Sequence, residues 1–412
     1  MNTSTPSLPQ YDVVIIGSGI SGIYAAYNIQ KTAPNTSFLI LEKYKKQWIG
    51  GRTSNELFYG TQIATGAGIG RKKDVLLRRL LEELDFEINE FTVNASYSKY
   101  IEPINVKKTI QFLRKEYEKY RGEPLTFREF AKPILGEKIY KQFLLTTGYT
   151  DYEKEGAFET LYIYGMEDNA GSLPAFSVHW RNLIMALTAK IGESHFKFSH
   201  NVTSISGCDG AFLVETDQFR KYVCKKVIVA TTISSIRSFF RNPIYKEIEG
   251  QPFLRVYGKF AKQSIPIMKE YVKSYTCLTG PLQKIIPINP DDGVYMIVYN
   301  DNKNAVKLKP YTENTAKTRE LYCDLIEKAL GIPNGRLHLI GIRSFYWAIG
   351  THYYKPLDKT KYNDRDEFIH IAQHPENGIV VVGEVVSKNQ GWVEGALRSV
   401  DKVITKKWID NI

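Results

Sequence analysis

One six-residue run, Gly17-Ser18-Gly19-Ile20-Ser21-Gly22, limits what this 412-residue chain can fold into more than any other feature. It follows Tyr11–Ile16 (YDVVII), a nearly continuous apolar run rich in β-branched residues, as expected of a buried parallel strand. It opens Ile20–Lys31, where Ile23, Ala26, Tyr27 and Gln30 recur at helical spacing. Glycine at 17 permits the tight turn, at 19 the approach of a pyrophosphate to the backbone, and at 22 close packing of helix on strand. The helix N-terminus turns free N–H groups and the positive end of its dipole toward the phosphates. Ser37–Leu41 is a second buried strand, and Glu42 closes it, where a carboxylate can hydrogen-bond a ribose hydroxyl. Strand, turn, helix and acid in register predict a dinucleotide site, with Gly17, Ser18, Gly19, Gly22 and Glu42 as contacts.

Two further elements favour FAD over NAD. Gly50-Gly51-Arg52-Thr53 places an Arg where it can hold pyrophosphate oxygens, beside glycines that let the backbone pass close to a flavin. Near the other end, the buried strand Gly378–Gly383 delivers Glu384, and Gly391-Trp392-Val393-Glu394-Gly395-Ala396 opens a helix expected to run over Trp392–Asp410. Such a helix can aim its positive end at the flavin C2 carbonyl. A third buried strand, Lys226–Ala230, lies mid-chain. Between these strands come helices expected over Asp74–Leu84, Val106–Arg121 and Phe127–Leu145, and strands over Gln251–Lys262, Gly293–Asn300 and Leu337–Phe345. The expected architecture is α/β: a Rossmann-like FAD domain, discontinuous in sequence, with an inserted α+β substrate domain. Its FAD segments are 11–75, 180–240 and 370–412; a mostly helical insertion spans 76–179 and a substrate-domain sheet 241–369.

Charge and cysteine usage exclude rival classes. The net charge is +11, but the dense basic runs (Lys43–Lys46, Arg71–Lys73, Lys402–Lys407) are short and lack a recognition module, so no nucleic-acid partner is expected. Cys208, Cys224, Cys277 and Cys323 form no CxxC pair, which argues against a metal site and fits a reducing compartment. Met1–Gln10 is polar and no apolar run spans a bilayer, so the expectation is a soluble, cytoplasmic protein without membrane anchor.

The glycine run, Glu42, GGRT, the middle KVIVAT strand and the terminal GE…GWVEGA together resemble the flavin-containing amine oxidase superfamily over roughly residues 11–70, 200–235 and 378–405. The resemblance implies FAD contacts at Gly17, Gly19, Gly22, Glu42, Gly51, Arg52, Val202 (through its backbone, near the adenine) and Glu384, with Trp392 and Val393 at the last helix. It implies that Thr65-Gly66-Ala67-Gly68 lies over the isoalloxazine, although Thr65 replaces the acidic residue frequent there. Trp392 stands where the family has a Tyr walling an aromatic cage, and an indole face attracts cations well. The second wall would come from Tyr346–Pro356; Thr351, His352 and Tyr353 remain open as the residue facing the flavin. No Cys occurs in that segment, so non-covalent FAD is expected.

The family's active-site Lys matches Arg255, with Lys259 on the same strand face. An Arg cannot lose its proton, but it can hold a water or bind a carboxylate bidentately. The leading expectation is oxidation of an amine or amino acid to an imine, the flavin taking the hydride equivalent and O2 becoming peroxide. The alternatives are a desaturase or dehydrogenase with another acceptor, and a non-enzymatic FAD-binding interaction protein.

Overall fold

A computed structural model describes residues 8–166, 172–208 and 210–410. The N-terminal stretch Met1–Gln10 therefore lies outside the described residues up to residue 7. Strands from three widely separated stretches build the first sheet. Phe196–Lys197, Phe38–Leu41, Gln10–Ile16 and Lys221–Val229 run parallel in that order, and Ile379–Val381 pairs with the end of Lys221–Val229. Register aligns Leu41 with Ile16, Ile16 with Val229 and Val229 with Val381. The carboxyl ends of these strands thus share one edge, where α/β sheets place their ligands. Ala211–Thr216 and Val202–Cys208 extend the sheet antiparallel.

The strands read as unbroken apolar runs because both faces are covered. Val13, Ile15, Phe38, Ile40 and Ile228 pack under Ile23, Ala26, Leu183 and Leu397, while Val14, Ile16, Leu39, Leu41 and Val229 pack on Val202, Val214 and Ile236. Glu394 ties the helix Val393–Val403 to the helix Val75–Glu83: its carboxylate accepts the Leu76 and Leu77 N–H groups at 3.0 Å, capping the latter from more than 300 residues away.

An eight-stranded sheet forms the second layer. Leu339–Tyr354 forms one edge of it, followed antiparallel by Ile248–Phe260, Val294–Asp301 and Lys284–Asn289. Three helices, Val106–Lys119, Phe127–Thr147 and Ala157–Tyr162, enclose their own core of Ile110, Leu113, Phe127, Phe143 and Tyr152. No helix among the described residues is long and apolar enough to cross a membrane, and Cys224, Cys277 and Cys323 are free and buried.

Several elements differ from the sequence expectation, the following with a clear physical cause. The strand expected at Leu337–Phe345 continues to Tyr354, because pairing with Ile248–Phe260 persists past an irregularity at Gln251/Phe253. The helix Phe127–Thr147 is two helices joined at a kink: Pro133 lacks an N–H and Gly136 takes φ 74°. The terminal helix stops at Val403, and a short one restarts at Lys406 where Thr405 Oγ1 accepts the Trp408 N–H.

Candidate functional site at the sheet edge

The glycine turn leaves the first strand at that shared edge. A Cβ on Gly22 would stand 2.1 Å from the Gly17 carbonyl oxygen, so only glycine lets this helix sit on the turn. A Cβ on Gly19, the N-cap of Ile20–Thr32, would meet no protein atom within 4 Å, and no side chain caps the helix. Open space therefore faces uncapped N–H donors, the arrangement that receives phosphate. Ser18 donates its N–H and its hydroxyl to Glu42 Oε2, each at 2.7 Å, and the Tyr44 N–H donates to Oε1. Glu42 is thereby fixed at the end of the second strand. Val202 is buried in the same core cluster as Leu39 and Leu41, the residues leading to Glu42.

Residues from the two ends of the sequence meet at Glu384. Arg52 Nη1 donates to Glu384 Oε1 at 2.8 Å and to the Gly350 carbonyl at 2.7 Å, and the Gly391 N–H donates to Glu384 Oε2 at 3.0 Å. His352 Nδ1 lies 2.5 Å from Oε1, while the Ile233 N–H donates to its Nε2 at 3.1 Å. A donor at Nε2 requires a lone pair there, so the ring proton sits on Nδ1 and points at Glu384. Burial pushes the Glu384 carboxyl upward, but His352, Arg52 and the Gly391 N–H outweigh that and hold it well below the usual carboxylate range.

The Ala64–Gly68 loop is pinned by three aromatic donors that sequence reading missed. Tyr257 OH donates to the Ala64 carbonyl (2.6 Å), Trp347 Nε1 to Thr65 (2.8 Å) and Trp180 Nε1 to Gly68 (3.0 Å). Ala67 N–H donates to the Arg52 carbonyl, tying this loop to the GGRT segment. Aromatic residues spread over three distant segments carry no short motif. Beneath the loop, a Cβ on Gly68 would stand 3.5 Å from Arg255 Nη2. Arg255 is buried, and its guanidinium lies 4.4 Å from the centre of the Tyr299 ring.

The remaining candidates separate. Lys259 is not in this site: it donates to the Asp292 carbonyl beside Tyr59, at the far end of the strand. Tyr353 is buried away from His352, near Glu249 and Arg237. Thr351 instead abuts Gly391, next to Trp392; a Cβ there would stand 3.3 Å from Thr351 Cγ2. Trp392, half-buried ahead of Val393, has a face covered by the Arg71 guanidinium, 3.7 Å from an indole ring centroid, which Asp74 Oδ1 holds at 2.7 and 3.0 Å.

The edge fits a dinucleotide. Besides the opening at Gly19, the Thr231 hydroxyl beside Gly17 and the Gln251 and Gln390 carbonyl oxygens are buried without a hydrogen-bond partner. Orphaned polar groups of this kind call for an occupant.

Comparisons with known proteins agree with this geometry. Residues 15–84 match the family model of an NAD(P)-binding Rossmann-like domain. An uncharacterised protein of Acanthamoeba polyphaga mimivirus is 36% identical over 69 residues, 16% of this chain and 13% of that protein's length. Among solved structures, putrescine oxidase bound to putrescine superposes with a TM-score of 0.73 at 14% identity, covering 97% of this chain and 99% of that one. Cyclohexylamine oxidase from Brevibacterium oxydans gives 0.74 at 15% identity, covering 98% and 99%. The fold expected from the glycine run and its partners, that of the flavin-containing amine oxidases, is the fold this chain has.

Proposed function

We propose that the chain is an FAD-dependent oxidoreductase that oxidises an amine carrying an acid group, an amino acid or a relative of one. The observation that carries the flavin reading is the Arg52–Glu384 pair at 2.8 Å, which joins the glycine turn's neighbourhood to the end of the last parallel strand. Gly19 and the helix behind it would hold the pyrophosphate, Glu42 a ribose, and Arg52 and Glu384 the link toward the flavin. The flavin, bound without a covalent link, supplies the acceptor for a hydride equivalent. This chain's residues bind, orient and keep water out: three aromatic donors fix the Ala64–Gly68 loop, and Arg255 presents a permanent cation below it.

The covered face of Trp392 weighs against a plain ammonium substrate, which would meet the Arg71 guanidinium where the family presents an open ring. A second reading, transfer to an acceptor other than O2, is favoured by Arg255 at the family's Lys position.

The test is an absorbance spectrum before and after denaturation, followed by anaerobic addition of an amine and amino-acid panel. Flavin bands released by denaturation and bleached by amino acids support the proposal, and peroxide on readmission of air assigns the acceptor. Protein that shows no flavin bands after reconstitution with FAD overturns it.

A further inference from the structure

A second buried basic group lies behind Arg255. Lys284, at the start of its strand, is fully buried, and among the described residues its Nζ has no hydrogen-bond partner. It lies 2.9 Å from the centroid of the Tyr149 ring and 4.2 Å from that of Tyr299, the ring that Arg255 also covers. Tyr149 and Tyr299 meet edge to face at 5.8 Å. The groups facing Lys284 are Asp301, Asp151, Cys277, Arg255 and the phenols of Tyr149, Tyr275 and Tyr299.

Neither acid hydrogen-bonds to its Nζ among the described residues. The Asp301 carboxylate is taken by Thr150, through its N–H (2.9 Å) and its hydroxyl, and by Gln283 Nε2 (3.3 Å). Asp151 receives the Tyr164 hydroxyl at 2.6 Å, and burial and then Asp301 push its carboxyl up to about 7. For Lys284, burial outweighs the pull of Asp301, Cys277 and Asp151, and Arg255 adds to it, so the ammonium is pushed down to about 7. Arg255 has no carboxylate partner among the described residues. The wall under Gly68 thus carries one permanent positive charge and, behind Tyr299, an amine that is largely uncharged above neutral pH. An arriving ammonium would be repelled there, whereas an arriving anion would find a guanidinium and would raise the proton affinity of the amine behind it.

We propose that Arg255 is the receptor for the anionic group of the ligand, and that Lys284 takes up a proton from solvent when that group binds. Lys284 acts through the field across Tyr299 and touches no ligand. The inference rests on the reading of the Thr65–Gly68 loop as the wall of the flavin site, and it turns that reading's acid-bearing substrate into a proton-linked one.

The test is isothermal titration calorimetry at about pH 8 in two buffers of different protonation heat, with benzoate, benzamide and benzylamine as probes. Benzoate is expected to bind with uptake approaching one proton per site, and the other two at least about 10-fold more weakly. Arg255→Met weakens benzoate by about 100-fold. Lys284→Met keeps benzoate within about 10-fold but loses the proton uptake, whereas Asp151→Asn retains it. Should Lys284→Met fail to fold, nuclear magnetic resonance of labelled lysine side chains in the unaltered protein follows the Lys284 titration with and without benzoate, and an upward movement is expected. Preference for benzylamine, no benzoate binding, or uptake unchanged in Lys284→Met overturns the proposal. Flavin bands in the same samples keep the two readings apart: full bands without benzoate binding sink the anion site alone, and absent bands sink the flavin reading beneath it.

Discussion

Replacing Gly19 by Val separates cofactor binding from folding, because the structure gives the two effects very different sizes. Gly19 has φ −68° and ψ 171°, extended backbone open to any residue, and a Cβ there meets no protein atom within 4 Å. Glycine supplies no capping side chain to lose, so the change in folding stability stays within about 1 kcal/mol. The same Cβ occupies the space in front of the helix N–H groups. Losing two N–H contacts to a charged phosphate, at about 1.5–3 kcal/mol each, costs about 3–6 kcal/mol, or roughly 10²- to 10⁴-fold in FAD affinity. The assay is flavin content per protein after reconstitution, together with thermal melts with and without added FAD. The unaltered protein should melt higher with FAD, and Gly19→Val should melt at nearly the same temperature either way. Gly22→Ala is the counterpart: its Cβ meets the Gly17 carbonyl oxygen at 2.1 Å, so the backbone must shift and folding weakens by about 1–3 kcal/mol. Gly19→Val protein that retains a full complement of flavin would refute the placement of the phosphates.

Three more outcomes follow from the buried groups. His352→Ala strips a donor from Glu384 and the acceptor from the Ile233 N–H, and should lower stability by about 1–3 kcal/mol in urea unfolding; an unchanged midpoint would deny the pair its role. The Glu384 carboxyl is depressed in the fold, so its stabilisation is complete above its ordinary value of 4.5 and fades as the pH falls below it. The stability gap between the unaltered protein and Glu384→Gln should therefore narrow from about pH 6 to pH 3, and a constant gap would be evidence against that depression. Lys284 is depressed from 10.5 to about 7, so the unfolded chain binds more protons between those values and stability rises with pH there. Lys284→Met should flatten that rise, removing about 2–3 kcal/mol of the change between about pH 7 and 9 in denaturant titrations.

The local structure at the sheet edge was legible because its signals are local. Gly17, Gly19 and Gly22 sit within one turn, and Glu42 closes the next strand. Glu384 could be read as well, since a buried strand leads straight to it. Which side chains line the rest of the candidate site could not be read, because facing depends on pairing partners. The strand through His352 pairs with Ile248–Phe260 past an irregularity, and that register sends His352 to Glu384 and Tyr353 away from it. Alternation on paper put Lys259 with Arg255, yet a register shift between Val256 and Tyr257 and the carbonyl of Asp292 hold it elsewhere. Lys284 and Tyr299 carry no motif at all; their meaning comes from burial beside residues far off in sequence.

Glu394 capping the helix that starts at Val75 has a consequence for how the protein is made. During synthesis the glycine turn, Glu42 and Arg52 leave the ribosome early, but the strand Ile379–Val381, the Glu384 carboxylate and the Glu394 cap follow more than 300 residues later. Until then the strand Lys221–Val229 lacks its partner Ile379–Val381 and the helix at Val75 lacks its cap. A chain cut short before residue 394 therefore keeps an unpaired edge on Lys221–Val229 and an uncapped helix at Val75, so the sheet edge is finished only when the last segment has been made.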